Sequence, residues 1–114
     1  MTLLKNTRNE IPPGTLDMLI LKTLARNGEL HGFEIANSIQ SMSEDVLQVE
    51  EGSLYPALQR LLVNAWVRAE WTASETGRKV RQYSITAAGR KQLARETRDF
   101  GFLMAAIARV MEGA

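Results

Sequence analysis

From Leu16 onward, apolar residues recur at helical spacing. Leu16, Leu19, Ile20, Thr23 and Leu24 make one stripe of a helix that opens at Gly14-Thr15 and closes at Gly28. Thr15 is expected to cap it, and Asp17 suits the positive end of its dipole. The polar stretch before it ends in Pro12-Pro13 and is expected to be an arm or short helix carrying Lys5 and Arg8. His31-Gly32 leads into a second helix with Phe33, Ile35, Ala36 and Ile39 inward, His31 capping it or packing beside it. The acidic run Ser41 to Glu51 reads as a connection. A third helix is expected from about Gly52-Ser53, with Leu54, Leu58, Leu61 and Leu62 as its apolar positions. Pro56 is placed in its first turn, where a missing N–H breaks no bond, and Asn64 is expected to end it in the left-handed conformation.

The period then changes. Val67, Ala69, Trp71 and Ala73 alternate with Arg68, Glu70 and Thr72, which predicts a strand. Ser74-Glu75-Thr76-Gly77 has turn chemistry. Lys79 to Ile85 makes a second strand with Tyr83 and Ile85 on one face, so the two form a hairpin with Arg78, Lys79 and Arg81 at its tip. Thr86 caps a last helix running close to Glu112. On it Leu93, Phe100 and Ile107 stand seven apart, Leu103 and Val110 fall between, and Met104 and Met111 lie beside them. That is a seam at heptad spacing, expected to pair two copies of the chain. Trp66 and Trp71 are expected in the core or at an interface.

Helix, helix, helix, hairpin, helix is a mainly α chain with a β-hairpin. It matches a winged helix-turn-helix domain over residues 1–85 followed by a C-terminal dimerisation helix over residues 86–114. The 114 residues suit one small core plus an appended helix. Composition narrows the chemistry. There is no cysteine and one histidine, His31, so no disulfide, metal or cofactor site is expected and an enzyme is disfavoured. No signal peptide is expected. The run Phe100 to Met111 is too short to span a bilayer and contains Arg109, so no membrane role and a cytoplasmic location are expected.

The net charge of +1 conceals a division along the chain. Residues 1–26 carry net +2, residues 27–51 net −6, residues 52–83 net +3 and residues 84–114 net +2. Local sign matters more than the total for a nucleic-acid partner. A helix fits the major groove of double-stranded DNA, and the third helix offers Ser53, Tyr55, Pro56, Gln59 and Arg60 to it. Gln59 can donate to and accept from adenine, while Ser53 and Tyr55 can bond phosphates. Arg78, Lys79 and Arg81 can neutralise the backbone or enter the minor groove. Glu50 and Glu51 stand just before the third helix, so affinity is expected to rest largely on the wing, on Lys5 and Arg8 in the arm, and on dimerisation. A winged-helix module that binds another protein without nucleic acid is the alternative left open.

Four stretches carry a family resemblance. They are Gly14-Thr15-Leu16-Asp17, then His31-Gly32-Phe33-Glu34-Ile35, then Glu51-Gly52-Ser53-Leu54-Tyr55-Pro56-Ala57-Leu58-Gln59-Arg60-Leu61, and finally Arg78-Lys79-Val80-Arg81-Gln82-Tyr83-Ser84-Ile85-Thr86-Ala87-Ala88-Gly89. In this order, over roughly residues 10–100, the chain resembles the PadR family of bacterial transcriptional regulators, in its compact subgroup with a single C-terminal dimerisation helix. The resemblance implies a winged-helix homodimer that usually represses from a palindromic operator and often releases DNA when a small-molecule effector binds. Phe33 stands where the family commonly has tyrosine, and Asn64-Ala65 replaces the usual glycine after the third helix.

Overall fold

The structure is a computed structural model that describes residues 11–12 and 14–113. Its elements are α1 (Thr15–Asn27), β1 (Leu30–His31), α2 (Gly32–Met42), α3 (Glu51–Val63), β2 (Val67–Ala73), β3 (Lys79–Ile85) and α4 (Ala87–Glu112). The strands form one antiparallel sheet in the order β1-β3-β2, with β3 in the middle. In the hairpin Val67 faces Ile85, Ala69 faces Tyr83, Trp71 faces Arg81 and Ala73 faces Lys79. The four helices and the hairpin are those expected from the pattern; β1 is new. It pairs Leu30 with Tyr83 and His31 with Gln82, and two residues are too few to display an alternation.

Leu16, Ile20, Leu21 and Leu24 of α1 are packed among Ile35, Ile39, Leu54, Leu58 and Leu61, and Val67 and Tyr83 close the core from the sheet. Thr23 is buried with them and returns its hydroxyl to the Leu19 carbonyl at 2.7 Å. Among the described residues no helix is long and apolar enough to cross a membrane.

Several local expectations need correction. Thr15 does not cap α1: Gly14, at φ +87°, precedes the helix and Thr15 is its first residue, with no side-chain bond to the helix end. Pro56 is not in the first turn of α3, because the helix already begins at Glu51. Its ring stands in the second turn and removes the N–H that would reach the Gly52 carbonyl. Asn64 is right-handed (φ −83°) and bonds its side chain back to the Arg60 carbonyl, so Ala65 takes the left-handed turn at φ +62°. His31 precedes α2 as expected, but the firm capping bond is the reverse one, its own N–H donating to Glu34 Oε1 at 2.8 Å. Phe33, expected on the inner face of its helix, is 56% exposed; Trp71, expected in the core or at an interface, is outside the core at 62% exposed. Trp66 does pack against the core.

The joint between body and last helix is tight. Thr86 donates its hydroxyl to the Ala65 carbonyl at 2.7 Å and accepts the Gly89 N–H at 3.0 Å, while its own N–H reaches the Trp66 carbonyl. A Cβ on Gly89 would overlap the Trp66 carbonyl oxygen, so only glycine allows α4 to start here.

Candidate nucleic-acid interface

The exposed side of α3 carries Glu51, Ser53, Tyr55, Pro56, Gln59, Arg60 and Val63, while Leu54, Ala57, Leu58 and Leu61 hold the other side in the core. The sheet lies across this helix with Val67, Ala69, Trp71 and Ala73 of β2 on the same face as Ile85, Tyr83, Arg81 and Lys79 of β3. At the root of the hairpin that face is core: Val67 is 2% exposed and Tyr83 4%. Toward the tip the same face runs past the covering helices. There Trp71, Arg81 and Lys79 overhang a cleft of about 360 Å³, whose opposite wall is His31, Gly32 and Phe33 at the start of α2 with Tyr55 and Gln59 of α3.

Trp71 and Arg81 are opposite in register, and the guanidinium carbon lies 5.4 Å from the indole ring centre. This cation–π contact holds the Arg81 charge along the sheet. Arg81 also favours the ionised form of the neighbouring Tyr83 phenol, but burial is the larger influence and pushes that phenol above its usual range. The Tyr55 ring packs over Gly32, where an added Cβ would come within 3.1 Å of the hydroxyl oxygen. The wing turn is closed by Ser74, whose N–H donates to the Arg78 carbonyl at 2.8 Å, and by Gly77 at φ +85°. Arg78 and Lys79 are left exposed there.

Of the predicted contact residues, Tyr55, Gln59, Lys79 and Arg81 line one cleft. Ser53 and Pro56 are exposed on the same helix, and Arg78 sits at the turn. Arg60 is elsewhere engaged. Its Nη2 and Nε donate to the two carboxylate oxygens of Asp17 at 2.8 and 3.3 Å, and that bond keeps the guanidinium charged. It ties α3 to α1 instead of standing free. Lys5 and Arg8 lie outside the described residues. The cleft residues missed from sequence are Phe33, Trp71 and His31.

On α4 the proposed seam divides. Leu93 packs against the core of its own domain. Phe100 lies near Thr15 and Met18 of α1 yet is 39% exposed, and Leu103, Met104, Ile107, Val110 and Met111 are 56%, 41%, 42%, 77% and 78% exposed. Phe102, outside the heptad pattern, is 72% exposed.

Residues 20–95 match the model of the transcriptional regulator PadR-like family. The chain is 28% identical over 106 residues to an uncharacterized protein of Lysinibacillus sphaericus, covering 93% of this chain and 96% of that one. A PadR-like transcriptional regulator from Bacillus cereus superposes with a TM-score of 0.73 at 27% identity, over 89% of this chain and 95% of the other. A transcriptional regulator from Clostridium thermocellum gives 0.75 at 26% identity, over 82% and 90%.

Proposed function

This chain belongs to the PadR-like family of transcriptional regulators, and from that premise we propose that it is a homodimeric repressor that binds a palindromic operator through α3 and the wing. The observation that carries the reading is the overhang of the hairpin, which sets Lys79 and Arg81 across one cleft from Gln59 and Tyr55 of α3. Ser53 and Gln59 supply groups for base edges and phosphates, Pro56 lies against the groove wall, and Arg78, Lys79 and Arg81 neutralise the flanking backbone. Glu50 and Glu51 at the head of α3 oppose phosphate, so the wing carries a large share of the affinity, with Lys5 and Arg8 adding to it.

The exposed stripe from Phe100 to Met111 supports pairing of two α4 helices. Beyond the body these side chains have no intramolecular cover, and a second copy buries them while Leu93 stays with its own core. Two-fold symmetry then sets two copies of α3 on half-sites about one DNA turn apart, and the bound dimer excludes polymerase from the promoter. A chromosomal partner places the protein in the cytoplasm.

Fluorescence anisotropy with a duplex taken from upstream of its own gene, across a salt series, tests the reading. Affinity is expected to fall steeply with salt. Replacing Arg78, Lys79 and Arg81 together with alanine is expected to lower affinity by at least about tenfold and to reduce the magnitude of the salt slope by about 2 to 3. Binding that is absent at low salt, or indifferent to salt, overturns the DNA reading in favour of a protein-binding winged helix. Phe100→Glu with Ile107→Glu is expected to give a monomer by light scattering, and a surviving dimer refutes the α4 seam.

A further inference from the structure

We propose that Glu51, the first residue of α3, is a specificity-determining residue that reads cytosine in the major groove by accepting a hydrogen bond from its N4 amino group. The inference rests on the function proposed above and deepens it, since it names one base of the operator and the side chain that selects it.

A C·G pair can be read from either of its two bases. The commonest reader is an arginine or lysine that donates to O6 and N7 of the guanine. Arg60 is the one basic residue of α3, and it is already engaged, donating to both carboxylate oxygens of Asp17 at 2.8 and 3.3 Å. The cytosine edge remains, and its amino donor calls for an acceptor. Ser53, Tyr55 and Gln59 both donate and accept, so they tolerate more than one base edge. A carboxylate accepts only, and Glu51 is the carboxylate of this helix.

The placement of Glu51 suits the task. Residues four apart share a helix ridge, so Glu51, Tyr55 and Gln59 follow one line, and the last two line the cleft beside the wing. From Glu51 to Gln59 that ridge is about 12 Å long at 1.5 Å per residue, which matches about three to four base-pair steps of 3.4 Å. Glu51 stands at its N-terminal end, the end of a recognition helix that reaches base edges. It is exposed, and so is Gly52, where an added Cβ would meet open space, so no side chain at 52 holds a duplex away. The Glu51 carboxylate is also uncommitted. Among the described residues the carboxylates beside a basic side chain are Asp17, on Arg60, and Glu34, on His31.

The energetic sign of such a carboxylate depends on the base it meets. Phosphate, thymine O4 and the O6 and N7 of guanine all repel it, whereas the cytosine amino group attracts it. Adenine sets its N7 acceptor beside its amino donor and suits an amide better.

The test selects duplexes from a randomised pool with the full chain, native and as Glu51→Ala and Glu51→Gln, circular dichroism checking that each is folded. The native protein is expected to enrich cytosine at one position of each half-site. Glu51→Ala is expected to lose the preference at that position alone, and Glu51→Gln to shift it toward adenine. Anisotropy then compares the enriched duplex with one in which that C·G pair is T·A. The native protein is expected to discriminate at least about tenfold and Glu51→Ala less than about threefold. A Glu51 that only suits the helix dipole or repels phosphate leaves both variants selecting the native sequence, with affinity for every duplex unchanged or shifted alike. That result overturns the proposal and leaves the DNA reading standing. A pool from which the native protein enriches no sequence overturns the DNA reading, and the role of Glu51 falls with it.

Discussion

The two ends of the β2–β3 hairpin share strands, register and a face, yet they serve opposite ends. At the root, Val67, Tyr83 and Ile85 lie against the helices, with Val67 and Tyr83 almost wholly buried. At the tip, Trp71, Arg81, Ala73 and Lys79 continue the same face with nothing packed over them but the edge of α2 and α3. Side-chain alternation decides which face a residue occupies, and the reach of the neighbouring helices decides whether that face is wet. Seven-residue strands extend about 23 Å at 3.3 Å per residue, farther than two helices about 10 Å wide can cover when they cross them. One sheet thus provides a core wall and an exposed overhang.

The sharpest way to break this comparison is to remove one aromatic ring from each end. Tyr83→Ala at the root is expected to cost about 4 kcal/mol, by lost transfer energy and the cavity left behind. Trp71→Ala at the tip removes the larger ring and is expected to cost only about 1 kcal/mol, the scale of a cross-strand pair with partial burial. Denaturant unfolding of both variants measures the contrast. Equal losses would show that the tip is a second core and not an overhang.

The next largest effect tests what fixes the root. Gly89 sits in the first turn of α4 directly against the Trp66 carbonyl, and backbone, unlike a long side chain, has little room to yield. Gly89→Ala is expected to destabilise the protein by about 3 kcal/mol despite the better helix propensity of alanine, which would favour it by about 1 kcal/mol. Thermal unfolding followed by circular dichroism checks it. A stabilised variant would mean that α4 can pivot on the body, and the position of its exposed stripe would then no longer be set by this joint.

The parts of this arrangement legible in the sequence are those written in periodicity. The limits of β3 are expected at Lys79 and Ile85 and are found there, because turn residues up to Gly77 and the helix cap at Thr86 flank it and Tyr83 and Ile85 share a face. The run of α4 to Glu112 was equally plain. Depth was not. Phe33 and Trp71 fall on inward positions of their elements, and a single chain carries no sign of where the covering helix stops. The Arg60–Asp17 pair joins residues 43 apart, and no local spacing announces it, so Arg60 read as a free base on the DNA face. His31 is expected at the head of α2 and found there, but its place in the cleft wall beside Tyr55 and Trp71 depends on three-dimensional packing.

The smallest effect concerns the turn that launches the root of the hairpin from α3. Asn64 is the expected left-handed position, being the residue that tolerates it best after glycine, and the structure gives it to Ala65. Asn64 is instead drawn into the helix by the bond from its side chain to the Arg60 carbonyl at 2.8 Å, and the chain reverses one residue later. There the Trp66 N–H reaches the Leu61 carbonyl at 3.0 Å, and the Ala65 carbonyl accepts the Thr86 hydroxyl. Those bonds hold Ala65 where its Cβ crowds the backbone, at a cost of about 1 kcal/mol. Ala65→Gly relieves the crowding but frees the unfolded chain, so the net expectation is a gain of about 0.5 kcal/mol. The gain should appear in the thermal midpoint with DNA affinity unchanged, because the residue lies at the root, away from the cleft. A destabilised Ala65→Gly protein would show that Ala65 is not strained, and a shift in DNA affinity would show that root and tip are coupled through the strands.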